Sequence, residues 1–204
     1  PFRALELDAP DAVSAQAGAI NPETYPAWAI ITYFFPARGT KPALALHWYE
    51  GARDGARVLP SADVLAKVLR PGETAADSGS LLIGTKGMLF SPNDYGAKFR
   101  LLPEKEFAGV QTDKPEKGPL GVAKGEDPYQ KQEWVEAIRA GKPQLAASNF
   151  EFAARLTEAM LLGNIAVRFA GQKLTWDAAT LKFPTSAAAS ALVSATYRKG
   201  WELG

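Results

Sequence analysis

The chemistry-bearing residues of this chain start with a single histidine, His47, in the run Leu44-Ala45-Leu46-His47-Trp48-Tyr49-Glu50-Gly51. Read as a strand, the run puts His47 with Ala45 and Tyr49 on one face and Leu46 with Trp48 on the other. An imidazole titrating near neutrality can move protons. No second acid–base group is recognisable around His47, so it reads as a structural or pocket-lining histidine. Tyr49, Glu50 at the strand end and Arg198 in Tyr197-Arg198-Lys199-Gly200-Trp201 complete the group best suited to face a ligand. Aromatic rings stack on a sugar face, and charged side chains bind its hydroxyls. His47, Tyr49, Glu50 and Arg198 are therefore the candidate substrate-binding residues. No residue of the chain is assigned a catalytic, cofactor-binding or metal-ligating role.

Other motifs read more plainly. Gly79-Ser80-Leu81-Leu82-Ile83-Gly84-Thr85-Lys86 has phosphate-loop spacing, but its last two residues are in the wrong order and its interior reads as a strand, so a hairpin is expected. No Gly-x-Gly-x-x-Gly fingerprint occurs, and no βαβ repeat that could house one is visible. Arg53, Asp54 and Arg57 lie in a Gly-rich strand exit and read as solvated. Gly163-Asn164 sits inside a helical pattern, where glycine costs about 1 kcal/mol relative to alanine, so close approach by another backbone is expected. The tail Tyr197–Trp201 reads as a strap that packs Trp201 and leaves its charges in water.

The elements that must carry these groups fall into strands first and helices afterwards. Strands are predicted over 12–17, 27–35 and 43–49, then 80–83 with 88–90, and a further extended piece over 98–102. Residues 104–128 are rich in Lys, Glu, Gly and Pro and read as a surface crossing between a strand-rich and a helical half. A helix should open with Asp127 as cap, Pro128 in the first turn and Gln130 reaching back, end near Gly141, and bury Trp134, Val135 and Ile138. A second should open at Ser148 with Glu151 in a capping box and run to Gly171. Its buried stripe is expected at 150, 153, 154, 157, 160, 161 and 165, with an exposed Glu151–Arg155 pair. Short strands over 173–176 and 181–183 and a helix over 187–193 follow. The residues up to Asp11 read like the tail of a helix. The expected fold class is α+β, with an open, mainly antiparallel sheet and helices packed on one face.

Composition narrows the function classes. With 204 residues, 47% hydrophobic and 22% charged, the chain can bury one good-sized core, one domain being the default and two small ones the alternative. Its 23 Lys and Arg against 22 Asp and Glu leave no basic field for a phosphate backbone, so nucleic acid is not the expected partner. The absence of cysteine excludes disulfides, thiolate metal sites and a cysteine nucleophile, and one histidine excludes any site needing two imidazoles. No stretch approaches the roughly 18 apolar residues of a membrane span. The chain reads as soluble, with no membrane partner.

Several of these runs together resemble bacterial members of the Gfo/Idh/MocA oxidoreductase family. The runs are Ser148-Asn149-Phe150-Glu151-Phe152-Ala153, Leu156-Thr157-Glu158, Leu161 to Arg168, Leu174-Thr175-Trp176-Asp177, Leu181-Lys182-Phe183 and Tyr197 to Leu203. Upstream, Phe35 to Gly39, Trp48 to Gly51 and Gly79 to Gly87 match in the same order, so the resemblance spans nearly the whole chain. It implies a C-terminal α+β domain, residues 1–204, that helps build a substrate pocket and oligomer contacts beside an N-terminal Rossmann domain. It implies hydride transfer between NAD or NADP and a sugar, inositol or related polyol; some members use the same step to cleave glycosides. The family's nucleotide fingerprint, Glu-Lys-Pro lysine and His-x-x-Asp helix all correspond to sequence upstream of Pro1, and His47 does not align with the last of these. Relatives also carry a histidine shortly before the tryptophan matching Trp134, where this chain has Gln130-Lys131-Gln132. The expected partners are thus the Rossmann domain, a second copy through the sheet, and a sugar or polyol. Many similar proteins carry export signals. The resemblance also places a first strand of the sheet upstream of Pro1, which predicts a sheet edge either covered by a partner chain or prone to pairing. A free-standing assembly or carbohydrate-binding module, and a part of an NAD-dependent glycoside hydrolase, are the competing readings.

Overall fold

The computed structural model describes residues 1–21, 23–93, 96, 98–111 and 127–202, with side chains of the helix opening at 127 described from Tyr129 onward. In chain order the elements are β1 (Ala12–Ala17), β2 (Trp28–Phe35), β3 (Leu44–Arg53), β4 (Ala56–Arg57), α1 (Ala62–Val68), β5 (Ser80–Ile83), β6 (Met88–Ser91) and β7 (Arg100–Leu102). They continue with α2 (Asp127–Ala140), α3 (Phe150–Ala166), β8 (Lys173–Thr175) and α4 (Ala187–Ser190). The fold is α+β with open antiparallel sheets, one of five strands in the order β4-β3-β2-β1-β8 and one of three, β5-β6-β7. Two compact units form: residues 60–153, and residues 2–59 together with 154–204. The division does not follow the compositional break at 104–128. Residues after 154 instead return to the first strands, β8 pairing with β1 through Ala12↔Thr175 and Val13↔Leu174. Of the expected crossing segment, residues 112–126 lie outside the described residues, as do the side chains of the expected cap, Asp127 and Pro128.

In the larger sheet, β2 alternates strictly, with Ala29, Ile31, Tyr33 and Phe35 buried and the residues between them half-exposed. The buried face meets α3. Gly163 lies directly under Tyr33, so that an added Cβ would overlap the Tyr33 hydroxyl and lie 3.1 Å from Ile31 Cδ1. The close approach expected at this glycine is real, but a sheet side chain makes it rather than a backbone. Tyr33 Oη then donates to the Met160 carbonyl at 3.2 Å, tying strand to helix.

Helix α3 opens one residue later than expected. Asn149, not Ser148, is the cap: its Oδ1 accepts from the Phe152 amide at 3.2 Å while its Nδ2 donates to the Ala146 carbonyl at 2.8 Å. The buried stripe is also rotated, to Ala159, Leu162, Gly163 and Ala166, and Phe150 and Leu161 are exposed. This helix is apolar on several sides, and the sheet takes the side with the small residues because only there can the helix come close. Arg155 pairs with Asp8 (3.5 Å) and Glu158 (3.6 Å) rather than with Glu151.

Further on, Trp176 Nε1 donates to Glu158 Oε1 at 3.0 Å, and its ring packs 4.9 Å from Phe183, which is almost fully buried. The strand expected over 181–183 is a single bridge, Asp177↔Lys182, with Leu181 at a φ of 52°. At the chain start, Glu6 N–H reaches the Arg3 carbonyl (3.1 Å) and Leu7 N–H the Phe2 carbonyl (2.9 Å), with Phe2 and Leu7 both buried, the bonding of a helix C-terminal cap.

In the other unit, Ser80–Ile83 and Met88–Ser91 form the expected hairpin, closed by Gly84 N–H to the Gly87 carbonyl at 2.9 Å. Helix α2 ends as a Gly-capped helix should: Gly141 has a φ of 61°, and Lys142 N–H bonds back to the Ala137 carbonyl at 3.0 Å. Its orientation is not the expected one. Tyr129, Glu133 and Ala137 are buried, while Trp134 and Ile138 are 63% and 61% exposed. The reason is Glu133, 2% exposed, whose Oε1 accepts from Tyr129 Oη (2.8 Å) and whose Oε2 accepts from the Ala147 amide (2.9 Å). A carboxylate supplied with two donors can be interior. The short elements α1 and β4 have no counterpart among the sequence-based expectations.

Candidate functional site

The β2–β3 register pairs Thr32 with His47, Ile30 with Tyr49 and Phe34 with Ala45. Cross-strand partners share a face, so His47 and Tyr49 lie with Thr32, Ile30 and Phe34 on the face turned away from Tyr33. Ser14 and Gln16 join them from β1, opposite Thr32 and Ile30, and Lys173 joins from β8, opposite Ser14. His47 Nδ1 is 3.0 Å from Thr32 Oγ1, and its ring lies 6.3 Å from that of Tyr49. Cations sit over aromatic rings at both ends of this sheet, Lys173 Nζ 3.8 Å from the Phe34 ring and Arg53 Cζ 4.9 Å from the Trp28 ring. The result is a face of hydroxyl, amide, imidazole, phenol and cationic groups interleaved with rings, able to bind polyhydroxylated or aromatic surfaces. His47 has a hydroxyl as its hydrogen-bond partner, so the pair offers no general acid and base in concert.

The candidate residues do not all come together. Glu50 is on the opposite face of β3, paired with Ala29 and accepting from Trp48 Nε1 at 2.9 Å. Arg198 stacks at 4.8 Å on Trp201, which is 66% exposed, so the strap expected to pack this tryptophan leaves it in solvent. Thr32, Trp28 and Lys173 were missed. Hairpin register could have found Thr32 from sequence, since it follows once the β2–β3 turn is placed; Lys173 comes from a strand more than a hundred residues away.

Glu50 acts on Tyr33 instead. Burial, and secondarily the Glu50 carboxylate, push the Tyr33 phenol from an ordinary 10 up to about 12. With the folded value above the unfolded one, the stabilisation held in the neutral phenol is whole below pH 10 and is lost as pH rises from 10 towards 12. At about 1.4 kcal/mol per pH unit, the loss amounts to about 3 kcal/mol. Urea unfolding measured at increasing pH should show this decline, and Tyr33→Phe should flatten it.

In the other unit, a shallow groove of about 500 Å³ is bordered by Arg70, Lys98, Arg100, Glu104 and Phe107. Its guanidinium groups are already engaged: Arg70 binds Glu104 through two 2.9 Å hydrogen bonds, and Arg100 binds Glu73. Arg100 beside it holds the Glu73 carboxyl below the usual carboxylate range. The cluster is a set of ion pairs that staples the turn at 70–73 to β7.

The described residues form no Rossmann-type cradle for a dinucleotide. Every strand pairing of the two sheets is antiparallel among the described residues, and the Gly84 amide of the phosphate-loop look-alike is used inside its own hairpin. A Rossmann cradle uses free amides at the start of a helix that follows a parallel strand. Among the described residues no group of three or more His, Asp or Glu is placed to hold a metal ion, and no helix is long and apolar enough to cross a membrane. Compared with models of known families the chain matches none, and compared with curated proteins it matches none.

Proposed function

We propose that this chain is the substrate-side domain of an NAD(P)-dependent dehydrogenase acting on a sugar, inositol or related polyol, and that it associates with a second copy through its sheet. NAD or NADP belongs to a Rossmann domain of the same protein, and the groups that carry hydride and proton transfer belong to that domain and to a His-x-x-Asp helix upstream of Pro1. The observation that carries this reading is where the Gfo/Idh/MocA-like runs fall. Gly163 of one run is the seat of Tyr33, Trp176 of another binds Glu158 of a third, and Phe183 packs on Trp176. Such residues are held by tertiary contact, so their ordered recurrence argues for a shared fold rather than a chance string of motifs. The face bearing His47, Tyr49 and Thr32 is the part of the domain best equipped to meet a polyol or a partner surface.

The test is made on the full-length gene product. Purified protein should release NAD or NADP on denaturation and should reduce added cofactor in the presence of one or more polyols, whereas the 204-residue chain alone should bind neither cofactor. A full-length protein with no nucleotide, no affinity for one and no turnover would remove the proposal. Cleavage of chromogenic glycosides that depends on NAD would move it to the hydrolase branch of the same fold.

A further inference from the structure

One polar row crosses the larger sheet from strand to strand. Lys173 on β8 pairs with Ser14 on β1, Ser14 with Thr32 on β2, and Thr32 with His47 on β3. An ammonium, two hydroxyls and an imidazole therefore stand side by side on one face. Neighbouring strands lie about 4.8 Å apart, which by itself would separate the ends of the row by about 14 Å. Lys173 shortens it. Its backbone is on β8, but its Nζ lies 3.8 Å from the centre of the Phe34 ring on β2, so the side chain crosses over β1. Phe34 is two residues, about 7 Å, along β2 from Thr32, and the Thr32 hydroxyl is 3.0 Å from His47 Nδ1. That contact occupies Nδ1 and leaves Nε2 for a ligand. Cation, hydroxyls and imidazole thus gather within reach of one six-carbon sugar chain.

The charge on this face has one sign. The chain holds 22 Asp and Glu residues, and the five strands of this sheet contain one of them, Glu50, which is on the opposite face beside Ala29. Among the described residues no carboxylate lies within ion-pair distance of Lys173 or Arg53, whose neighbours are rings instead. An aromatic face attracts an ammonium without accepting its three N–H groups in ordinary hydrogen bonds. Lys173 therefore keeps donors for an oxyanion, and a charge-assisted hydrogen bond is stronger than one to a neutral hydroxyl. A neutral polyol would use Ser14, Thr32 and His47 and leave the ammonium unmatched.

We infer that the row Lys173, Ser14, Thr32 and His47 binds a polyol that carries an anionic group, with the anion on Lys173, the hydroxyls on the other three residues and the carbon chain along the Phe34 ring. This rests on the reading that the domain meets a polyol and narrows that polyol to an acidic one. Carboxylate and phosphate share the required chemistry. Because His47 is the one histidine of the chain, its imidazole protons give a single magnetic-resonance signal that reports binding without a variant. In the 204-residue chain that signal should move on titration with D-gluconate or D-glucitol 6-phosphate, at least one of which should bind at least about threefold more tightly than D-glucitol. A response to one anion alone supports the row and identifies the anion it takes. Salt at about 1 M, where charges are screened beyond about 3 Å, should erase the preference. Lys173→Gln should lower the affinity for the acid to that for glucitol and leave glucitol unaffected. Thr32→Val keeps the branched shape and should weaken acid and neutral polyol alike, at least about threefold. Circular dichroism of both variants should match the parent. Equal affinity for the acids and glucitol, a preference that survives Lys173→Gln or high salt, or a His47 signal that no ligand moves would each overturn the inference. A full-length protein that carries nucleotide and oxidises neutral polyols while ignoring acids would remove this inference and leave the dehydrogenase; acid binding in a full-length protein without nucleotide would do the reverse.

Discussion

Gly163→Ala should destabilise the chain by about 1–3 kcal/mol, although alanine is the better helix former. The propensity gain is about 1 kcal/mol. Against it, the new methyl overlaps the Tyr33 hydroxyl and comes within 3.1 Å of Ile31 Cδ1. Tyr33 is 2% exposed and its hydroxyl is bonded to the Met160 carbonyl, so the ring has nowhere to go. Overpacking of this kind costs about 1–3 kcal/mol, and the displaced hydrogen bond about 1 kcal/mol more. The argument has an internal check. In a Tyr33→Phe background the offending oxygen is gone, so the penalty of Gly163→Ala should shrink by about 1 kcal/mol or more, the coupling expected of residues in contact. Urea unfolding of the four proteins measures it. A Gly163→Ala variant as stable as the parent would mean that α3 does not sit this close to β2.

Glu133→Leu should be the more damaging change, at about 3 kcal/mol, despite placing an apolar residue at a buried site. It removes the acceptor for both the Tyr129 hydroxyl and the Ala147 amide, and each hydrogen bond to a charged group contributes about 1.5–3 kcal/mol. Glu133→Gln keeps one carbonyl acceptor and should cost about half as much. A second readout separates this from general loss of packing. The hydrogen bond to Glu133, with burial and the carboxylate charge behind it, raises the Tyr129 phenol above its ordinary value. In Glu133→Gln the ultraviolet titration of Tyr129 should therefore move back towards the ordinary tyrosine range. Equal stability of the glutamine and leucine variants would show that the two hydrogen bonds contribute nothing.

These two residues also show where the sequence is legible. Period-two alternation, turn residues and helix stops are local, and they placed β1, β2, the β5–β6 hairpin and the Gly141 helix end to within a residue or two. The same alternation put His47 and Tyr49 on one face. Helix faces were not legible. Counting apolar positions turned α2 so that Trp134, Val135 and Ile138 faced inward, because a glutamate is expected outside unless something distant supplies its donors; Ala147 does. In α3 several apolar stripes compete within one sequence, and the choice falls to the small residues that let Tyr33 and Ile31 approach.

For the candidate site the division runs the same way. Residue types and strand period by themselves determined that His47 and Tyr49 lie on one face of a β surface, that the chain holds no cysteine and no second histidine, and that the fold is α+β. The same alternation already set Glu50 on the other face; tertiary structure decided that it comes into the surroundings of Tyr33, that Arg198 stacks on an exposed Trp201, and that Thr32 and Lys173 join the histidine's face. The physical reason is range. Torsional preference and side-chain period act over a few residues, whereas which cation reaches a given ring depends on strand partners far away in the chain, such as β8 beside β1.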